Sequence, residues 1–301
     1  MKFLLSLIAV MIGINCWSQQ FSESWKDVNY AGDDKGYHDL DIYLPAVTKT
    51  LYPVIIVIYG SAWLSNNSKG VDLRTLGKPL LDEGFAVVFP NHRSSSDAKF
   101  PAQVNDIKAV VRFIRGSAEK YNFDTSFIGI TGSSSGGHLS AFTGTSGSVN
   151  EFTVGTATAN IEGEVGNFTP FSSSVDAVVD WFGPTDFLQM DSCGSSMAHN
   201  PANSPESSLV GGAIQENKDI CALANPITYI DSNDPPFLIL HGDKDPLVPH
   251  CESELLFEAL QNASVQSKLI IVPDGQHGPG LFEDQYYKQM VDFFTAELQK
   301  N

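Results

Sequence analysis

The segment Gly132-Ser133-Ser134-Ser135-Gly136-Gly137-His138 places a serine between glycines two residues to either side. A serine at such a Gly-x-Ser-x-Gly turn becomes a nucleophile when the turn joins a strand to a helix. The tight turn lifts the hydroxyl clear of the sheet, and side chains at the glycine positions would strike neighbouring elements. The helix N-terminus behind it adds partial positive charge and free N–H groups. Serine alone is a weak nucleophile and needs a base held by an orienting acid. Two downstream segments supply them in the order Ser, Asp, His. His241-Gly242-Asp243-Lys244-Asp245-Pro246 contains Asp245, the expected acid, with Asp243 as its competitor. An Asp beside Gly more commonly braces a turn, which favours Asp245 over Asp243. Asp274-Gly275-Gln276-His277-Gly278 contains His277, the expected base. His277 must be neutral to take a proton, so acid conditions should silence the site.

A tetrahedral intermediate also needs N–H donors for its oxyanion, worth about 2.7–4 kcal/mol per donor. Ser135, directly after the nucleophile, offers one. The loop Gly60-Ser61-Ala62-Trp63 offers the other, from Ser61 or Ala62. Trp63 is positioned to wall a substrate pocket or to pack in the core. His138 falls on the helix behind the turn, and His241 ends a strand as a core residue. His38, His92, His199 and His250 follow no suitable terminal strand.

These residues need strands that end beside one another. Val54-Ile55-Ile56-Val57-Ile58-Tyr59 is an unbroken apolar, β-branched run, as in a strand buried on both faces. Similar runs occur at 85–89, 127–131, 175–181, 237–240 and 269–272. Helical spacing recurs between them, at 102–119, 250–262 and 283–299, with another helix expected from about 137. Alternating strands and helices predict a mostly parallel sheet covered on both faces, an α/β fold. Residues 38–43 alternate and suit a half-exposed antiparallel edge strand. Two long polar stretches, 144–174 and 187–230, are expected to be insertions above the sheet that partly cover the site.

Residues 1–18 have the layout of a secretory signal peptide. Lys2 precedes an apolar run from Phe3 to Ile14, and Cys16-Trp17-Ser18 ends in a small residue. The run is too short to span a bilayer. Cys16 raises a lipoprotein signal, but Asn15 is not the small residue that signal needs. Residues 19–301 are expected to form one domain, secreted or periplasmic, without membrane insertion. Removing the signal takes Lys2, so 18 cations become 17 against 35 acids, a net charge of −18. Such a chain repels nucleic acid and anionic lipid, and favours a neutral substrate. Three cysteines remain, and Cys193 with Cys221, flanking one polar segment, is the expected disulfide. Asn66, Asn167 and Asn262 begin Asn-x-Ser/Thr sequons.

The chain resembles the α/β-hydrolase esterase/lipase superfamily, near the secreted branch typified by bifunctional acetylxylan/feruloyl esterases. The match rests on Tyr59-Gly60-Ser61-Ala62-Trp63, on Asn91-His92-Arg93 with Phe100-Pro101-Ala102-Gln103-Val104-Asn105-Asp106, on the serine turn through His138, and on the Asp245 and His277 loops. Pro205-Glu206-Ser207 and Asn225-Pro226 are also similar. The resemblance implies the α/β-hydrolase fold and hydrolysis of a small or carbohydrate-linked ester, with an acetyl or hydroxycinnamoyl acyl group. It implies an acyl-enzyme formed without metal or organic cofactor. The family usually reads His-Gly-Gly-Gly-Trp at 59–63, so Ser61 and Ala62 add Cβ atoms to the donor loop. An exopeptidase on the same fold, an esterase for small non-carbohydrate esters, and a non-catalytic binding protein are the competing readings.

Overall fold

The computed structural model describes residues 21–300; the expected signal segment lies outside them. The strands are β1 (Phe21–Asn29), β2 (Asp39–Pro45), β3 (Tyr52–Ile58), β4 (Ala86–Pro90), β5 (Phe123–Ser133), β6 (Glu151–Val154), β7 (Ala157–Asn160), β8 (Ala177–Trp181), β9 (Phe237–Gly242) and β10 (Ser267–Val272). The helices are α1 (Gly77–Glu83), α2 (Ala102–Gly116), α3 (Ala118–Tyr121), α4 (Ser135–Thr145), α5 (Pro205–Val210), α6 (Lys218–Ala224), α7 (Cys251–Asn262) and α8 (Asp284–Leu298). Eight strands form one sheet in the order β1-β2-β4-β3-β5-β8-β9-β10. From β4 to β10 every neighbouring pair is parallel; β1 and β2 are antiparallel additions. This is the α/β-hydrolase fold.

The unbroken apolar runs become strands because both faces are covered. In β3, Val54, Ile56 and Ile58 join one core with α2, α4 and α7, whereas Ile55 and Val57 join a second with α1 and α8. Side-chain alternation in a strand divides one run between two layers. All seven β3 residues are buried, so no polar position was available to break the run. Among the described residues no helix is long and apolar enough to cross a membrane.

The expected edge strand at 38–43 is corrected. β2 pairs with β1 on one side and β4 on the other, and it is buried from Leu40 onward. Its alternation misleads because Asp41 is a buried carboxylate. Lys26 and Lys69 reach it at 2.7 and 2.9 Å. The edge belongs to β1, where Asp27 takes φ 53° at a register shift between Trp25 and Val28. A bulge of this kind blunts an exposed edge against further pairing.

The expected Cys193–Cys221 bridge is also corrected. Cys193 is bonded to Cys251, with 6.1 Å between their Cα atoms, and Cys221 is a buried free thiol. Cys221 lies on the inward face of α6, and burial pushes its thiol up to about 12. Cys251 opens α7 and comes up beside the Cys193 loop, 58 residues away in sequence.

The next residue, Glu252, is fully buried. Its Oε2 accepts from Thr185 N–H at 2.7 Å and Asp186 N–H at 2.6 Å, while Oε1 has no partner. Burial pushes its carboxyl up to about 8. A carboxyl raised on folding favours the folded state below its unfolded pKa, and that advantage is lost as pH rises. Stability should therefore fall by about 1.4 kcal/mol per pH unit through that window from this group alone. Glu252→Gln keeps an oxygen for the two amides and removes the proton. Melting temperatures from about pH 5 to about pH 8 should fall in the wild type and fall less steeply in the variant. Parallel slopes would contradict this assignment.

Candidate active site

Ser134 caps α4 with φ 55° and ψ −123°. Its N–H donates to the Trp181 carbonyl at 2.9 Å, and its carbonyl accepts from His138 N–H at 3.0 Å. The flanking glycines are forced by space. A Cβ on Gly136 would strike the Ile58 carbonyl and come within 2.8 Å of the Tyr59 oxygen. One on Gly132 would lie 2.5 Å from Gly136 backbone and 2.6 Å from the Ile58 oxygen. All of these are backbone atoms of β3, the residue after it, and α4, which cannot give way separately. Gly136→Ala should therefore cost more than about 3 kcal/mol by overpacking. A loss of soluble folded protein, or a large drop in its melting temperature, checks this.

Backbone strain gathers at this point. Among the described residues eight non-glycine positions have positive φ; four of them, Ala62, Trp63, Ser134 and Phe182, line the two cavities at Ser134, and a fifth, Asp274, lies in the His277 loop. Each such residue costs of order 1–3 kcal/mol and persists only where packing dictates it. That concentration marks a functional site independently of the serine motif.

Asp245 and His277 follow β9 and β10, which end side by side in parallel register. His277 Nδ1 lies 2.7 Å from Asp245 Oδ2. The Asp245 side chain is completely buried, and its Oδ1 accepts from Leu247 N–H at 2.8 Å and Val248 N–H at 3.0 Å. Burial opposes its charge, but the bonds from His241, His277 and Leu247 prevail and hold its carboxyl well below the usual carboxylate range. Asp243 does not reach His277; its Oδ1 accepts from Asp274 N–H at 2.7 Å and so braces the His277 loop. Ser134 makes no side-chain hydrogen bond among the described residues, and it lines the same two cavities as His277. Such bonds are often loose in an unliganded site and tighten around substrate.

The donor loop holds a difference from expectation. Ser61 N–H is already engaged, donating to Ser135 Oγ at 2.9 Å. It is therefore not a free donor. Ala62 N–H forms no bond among the described residues, and Ala62 lines both cavities. Ser135 lies in the first turn of α4, where N–H groups lack intrahelical acceptors. Ala62 and Trp63 hold left-handed backbone without being glycine, with φ 53° and 57°. Trp63 is both core and wall: it is 1 % exposed, packs edge-on to His138 and Phe187, and lines the smaller cavity.

Two other histidines near these loops are engaged elsewhere. His138 is buried and donates to the Ala224 carbonyl; burial lowers its pKa to about 4. His241 is buried between Ser253 Oγ at 2.7 Å and the Val248 carbonyl at 2.8 Å. Arg93 and Asp106 from the Asn-His-Arg and Phe-Pro-Ala-Gln segments form a forked pair, with Arg93 Nη2 2.6 Å from Asp106 Oδ1.

Two cavities meet at Ser134 and His277. The smaller, about 60 Å³, is lined by Ala62, Trp63, Pro184, Met197, His199, Pro205, Glu206, Leu247 and Val248 as well as the Ser134–Ser135 turn. The wider, about 310 Å³, runs past Gly60, Ser133, Phe182 and Phe282. Of the two long insertions, 187–230 supplies Met197, His199, Pro205 and Glu206. The 144–174 stretch lines neither cavity. It forms the β6–β7 hairpin and packs on α2 and α6, tied by Lys108 to Ser146 O at 2.6 Å and by Asp219 to Thr156 N–H at 2.9 Å. Sequence reasoning did not find Phe182, Met197, Glu206, Leu247 or Phe282 as site residues, and passed over His199 as a weak base. Nothing in their spacing marks them.

A family model described as BD-FAE matches residues 40–260. A solved structure titled as a truncated form of a carbohydrate esterase from gut microbiota is 50 % identical, with a TM-score of 0.90. That likeness covers 93 % of this chain and 98 % of the other. A bifunctional GH43-CE from Bacteroides eggerthii is 52 % identical with a TM-score of 0.87, covering 91 % of this chain and 35 % of that one. Esterase LipQ of Mycobacterium tuberculosis is 29 % identical over 211 residues, 70 % of this chain and 46 % of LipQ. The chain spans about half the length of the curated relatives it matches.

Proposed function

We propose, for a chain that belongs to the BD-FAE family, the hydrolysis of acetyl esters carried on carbohydrate, through an acyl-enzyme on Ser134. Relatives named as esterases and carbohydrate esterases support the reaction class. The observation that carries the acyl group is the inequality of the two cavities. A polysaccharide alcohol must lie in the wide cleft, because it continues beyond the ester. The acyl group ends, so it can enter the small cavity. At about 60 Å³ against about 310 Å³ in the cleft, the small cavity suits a short acyl group, an acetyl before a hydroxycinnamoyl one.

The reaction then runs as follows. His277 takes the Ser134 proton as Oγ attacks the ester carbonyl. Asp245 holds His277 in the tautomer whose Nε2 can accept, and stabilises the imidazolium. Ala62 N–H and Ser135 N–H receive the oxyanion. His277 returns the proton to the departing alcohol, leaving acetyl-Ser134, and the same groups direct water at the acyl-enzyme.

Acetylated xylan, methyl ferulate and p-nitrophenyl acetate, assayed side by side, test this reading. Acetate should be released from the xylan, with kcat/KM for methyl ferulate lower by about 100-fold or more than for the aryl acetate. Comparable ferulate turnover would overturn the acetyl assignment. Cleavage of aminoacyl amides in preference to esters would favour the exopeptidase reading instead. Residues 1–18 and the Cys193–Cys251 bridge support a place outside the cytoplasm, where disulfides persist. The N-terminus of protein recovered from an exporting host should be Gln19; an intact Met1 would count against export.

A further inference from the structure

The small cavity is apolar except at one wall. Trp63, Pro184, Met197, Leu247 and Val248 surround it, but His199 and Glu206 complete it, and they are only 1 % and 3 % exposed. A buried ion pair is a poor source of stability, because desolvation offsets most of the attraction. Its presence in a pocket for an apolar acyl chain calls for another reason.

Both imidazole nitrogens of His199 face a polar partner. His199 Nδ1 is 3.0 Å from Glu206 Oε2, near enough for an ion pair though not aligned as a hydrogen bond. Nε2 donates to the Leu247 carbonyl at 3.0 Å and lies 2.9 Å from Ser195 Oγ. A carbonyl can only accept, so Nε2 carries a proton; a carboxylate facing Nδ1 asks for a second. Burial works against that charge, but the contact with Glu206 outweighs it and raises the His199 pKa. The backbone N–H of His199 donates to Asp191 Oδ1 at 2.7 Å. The surrounding segment is fastened to the Asp245 loop: Ser195 Oγ donates to the Leu247 carbonyl at 2.8 Å, Ser196 Oγ donates to the Pro246 carbonyl, and Cys193 is bonded to Cys251. An aliphatic side chain in this position could change rotamer and admit a longer chain. An imidazole fixed at both nitrogens on an anchored segment cannot.

We infer that His199, clamped between Glu206 and the Leu247 carbonyl, is a specificity-determining residue that closes the acyl cavity at the length of an acetyl group. The inference rests on the esterase reading above and deepens it. His199 takes no part in proton transfer; it sets how far the acyl chain can extend from Ser134.

The test is the ratio of kcat/KM for p-nitrophenyl butyrate to that for p-nitrophenyl acetate. His199→Ala should raise this ratio by about tenfold or more, the worth of room for one or two methylenes, with the gain carried by KM for butyrate. His199→Gln, which refills the space, should return the ratio toward the wild-type value. If His199→Ala does not fold because Glu206 is left charged and alone, the double variant His199→Ala with Glu206→Gln removes that charge and carries the same expectation. A folded variant that loses both activities in proportion, leaving the ratio unmoved, overturns the inference and spares the esterase reading. A wild type that cleaves neither ester and is not labelled by a fluorophosphonate overturns both.

Discussion

Ser134→Ala should lower kcat for p-nitrophenyl acetate by about 10⁶, the scale seen when a triad nucleophile is removed. It should leave the fold intact. The Ser134 hydroxyl makes no hydrogen bond among the described residues, so removing it orphans no partner. The bonds that hold the turn are backbone ones, from Ser134 N–H to Trp181 and from His138 N–H to Ser134. Alanine keeps the Cβ that the positive φ must already tolerate. The variant should melt as the wild type does and fail to react with a fluorophosphonate. Residual turnover of about 10³–10⁴ over water should survive, because Ala62 and Ser135 still offer their N–H groups. Turnover within about tenfold of wild type, in a preparation free of contaminating esterase, would remove Ser134 from the mechanism.

What the sequence revealed depended on whether local pattern or distant contact decided the outcome. The run at 237–240 is fully buried and the run at 269–272, on the sheet's last strand, is partly buried; both are unbroken. They located the two loops, and with them the bond between Asp245 and His277. At β2 the same logic failed, because Asp41 mimics a solvent-facing position while being neutralised from Lys26 and Lys69. The donor loop was legible as a loop but not as a hydrogen-bond pattern. Ser61 is withdrawn by a hydroxyl 74 residues away in sequence, at Ser135. The acyl wall was legible as Trp63 and as an insertion at 187–230, but not residue by residue. Met197 and His199 reach the cavity at Ser134 because segment 193–199 is fastened to residues 246–251, through contacts some 50 residues apart with no local signature. The same long-range fastening explains the disulfide: Cys193 pairs with the residue its segment is docked against, not with the cysteine nearest in sequence.

Asp245→Asn and Asp243→Asn should separate by orders of magnitude, although the two aspartates are two residues apart in one turn. Asp245 presents Oδ2 to His277 Nδ1 at 2.7 Å and is fully desolvated. An asparagine there turns either an amide nitrogen or an uncharged oxygen toward the imidazole. The first favours the tautomer with its proton on Nε2, which cannot accept from Ser134; the second no longer stabilises the imidazolium. The loss should be about 10⁴ in kcat. Asp243 offers Oδ1 to Asp274 N–H, a bond an asparagine oxygen can still accept. Asp243→Asn should therefore cost no more than about tenfold, through small displacement of the His277 loop. The pH behaviour gives a second reading of the same pair. The Asp245 carboxyl is held below the usual carboxylate range in the folded protein, so its stabilisation is present above the ordinary carboxylate pKa. It is lost only as pH falls beneath that value. Asp245→Asn should lower the melting temperature at neutral pH and narrow its gap to wild type in strong acid, whereas Asp243→Asn should track the wild type throughout. If instead Asp243→Asn were the inactive variant, the acid would belong to the other carboxylate, and His277 would have to move to meet it during catalysis.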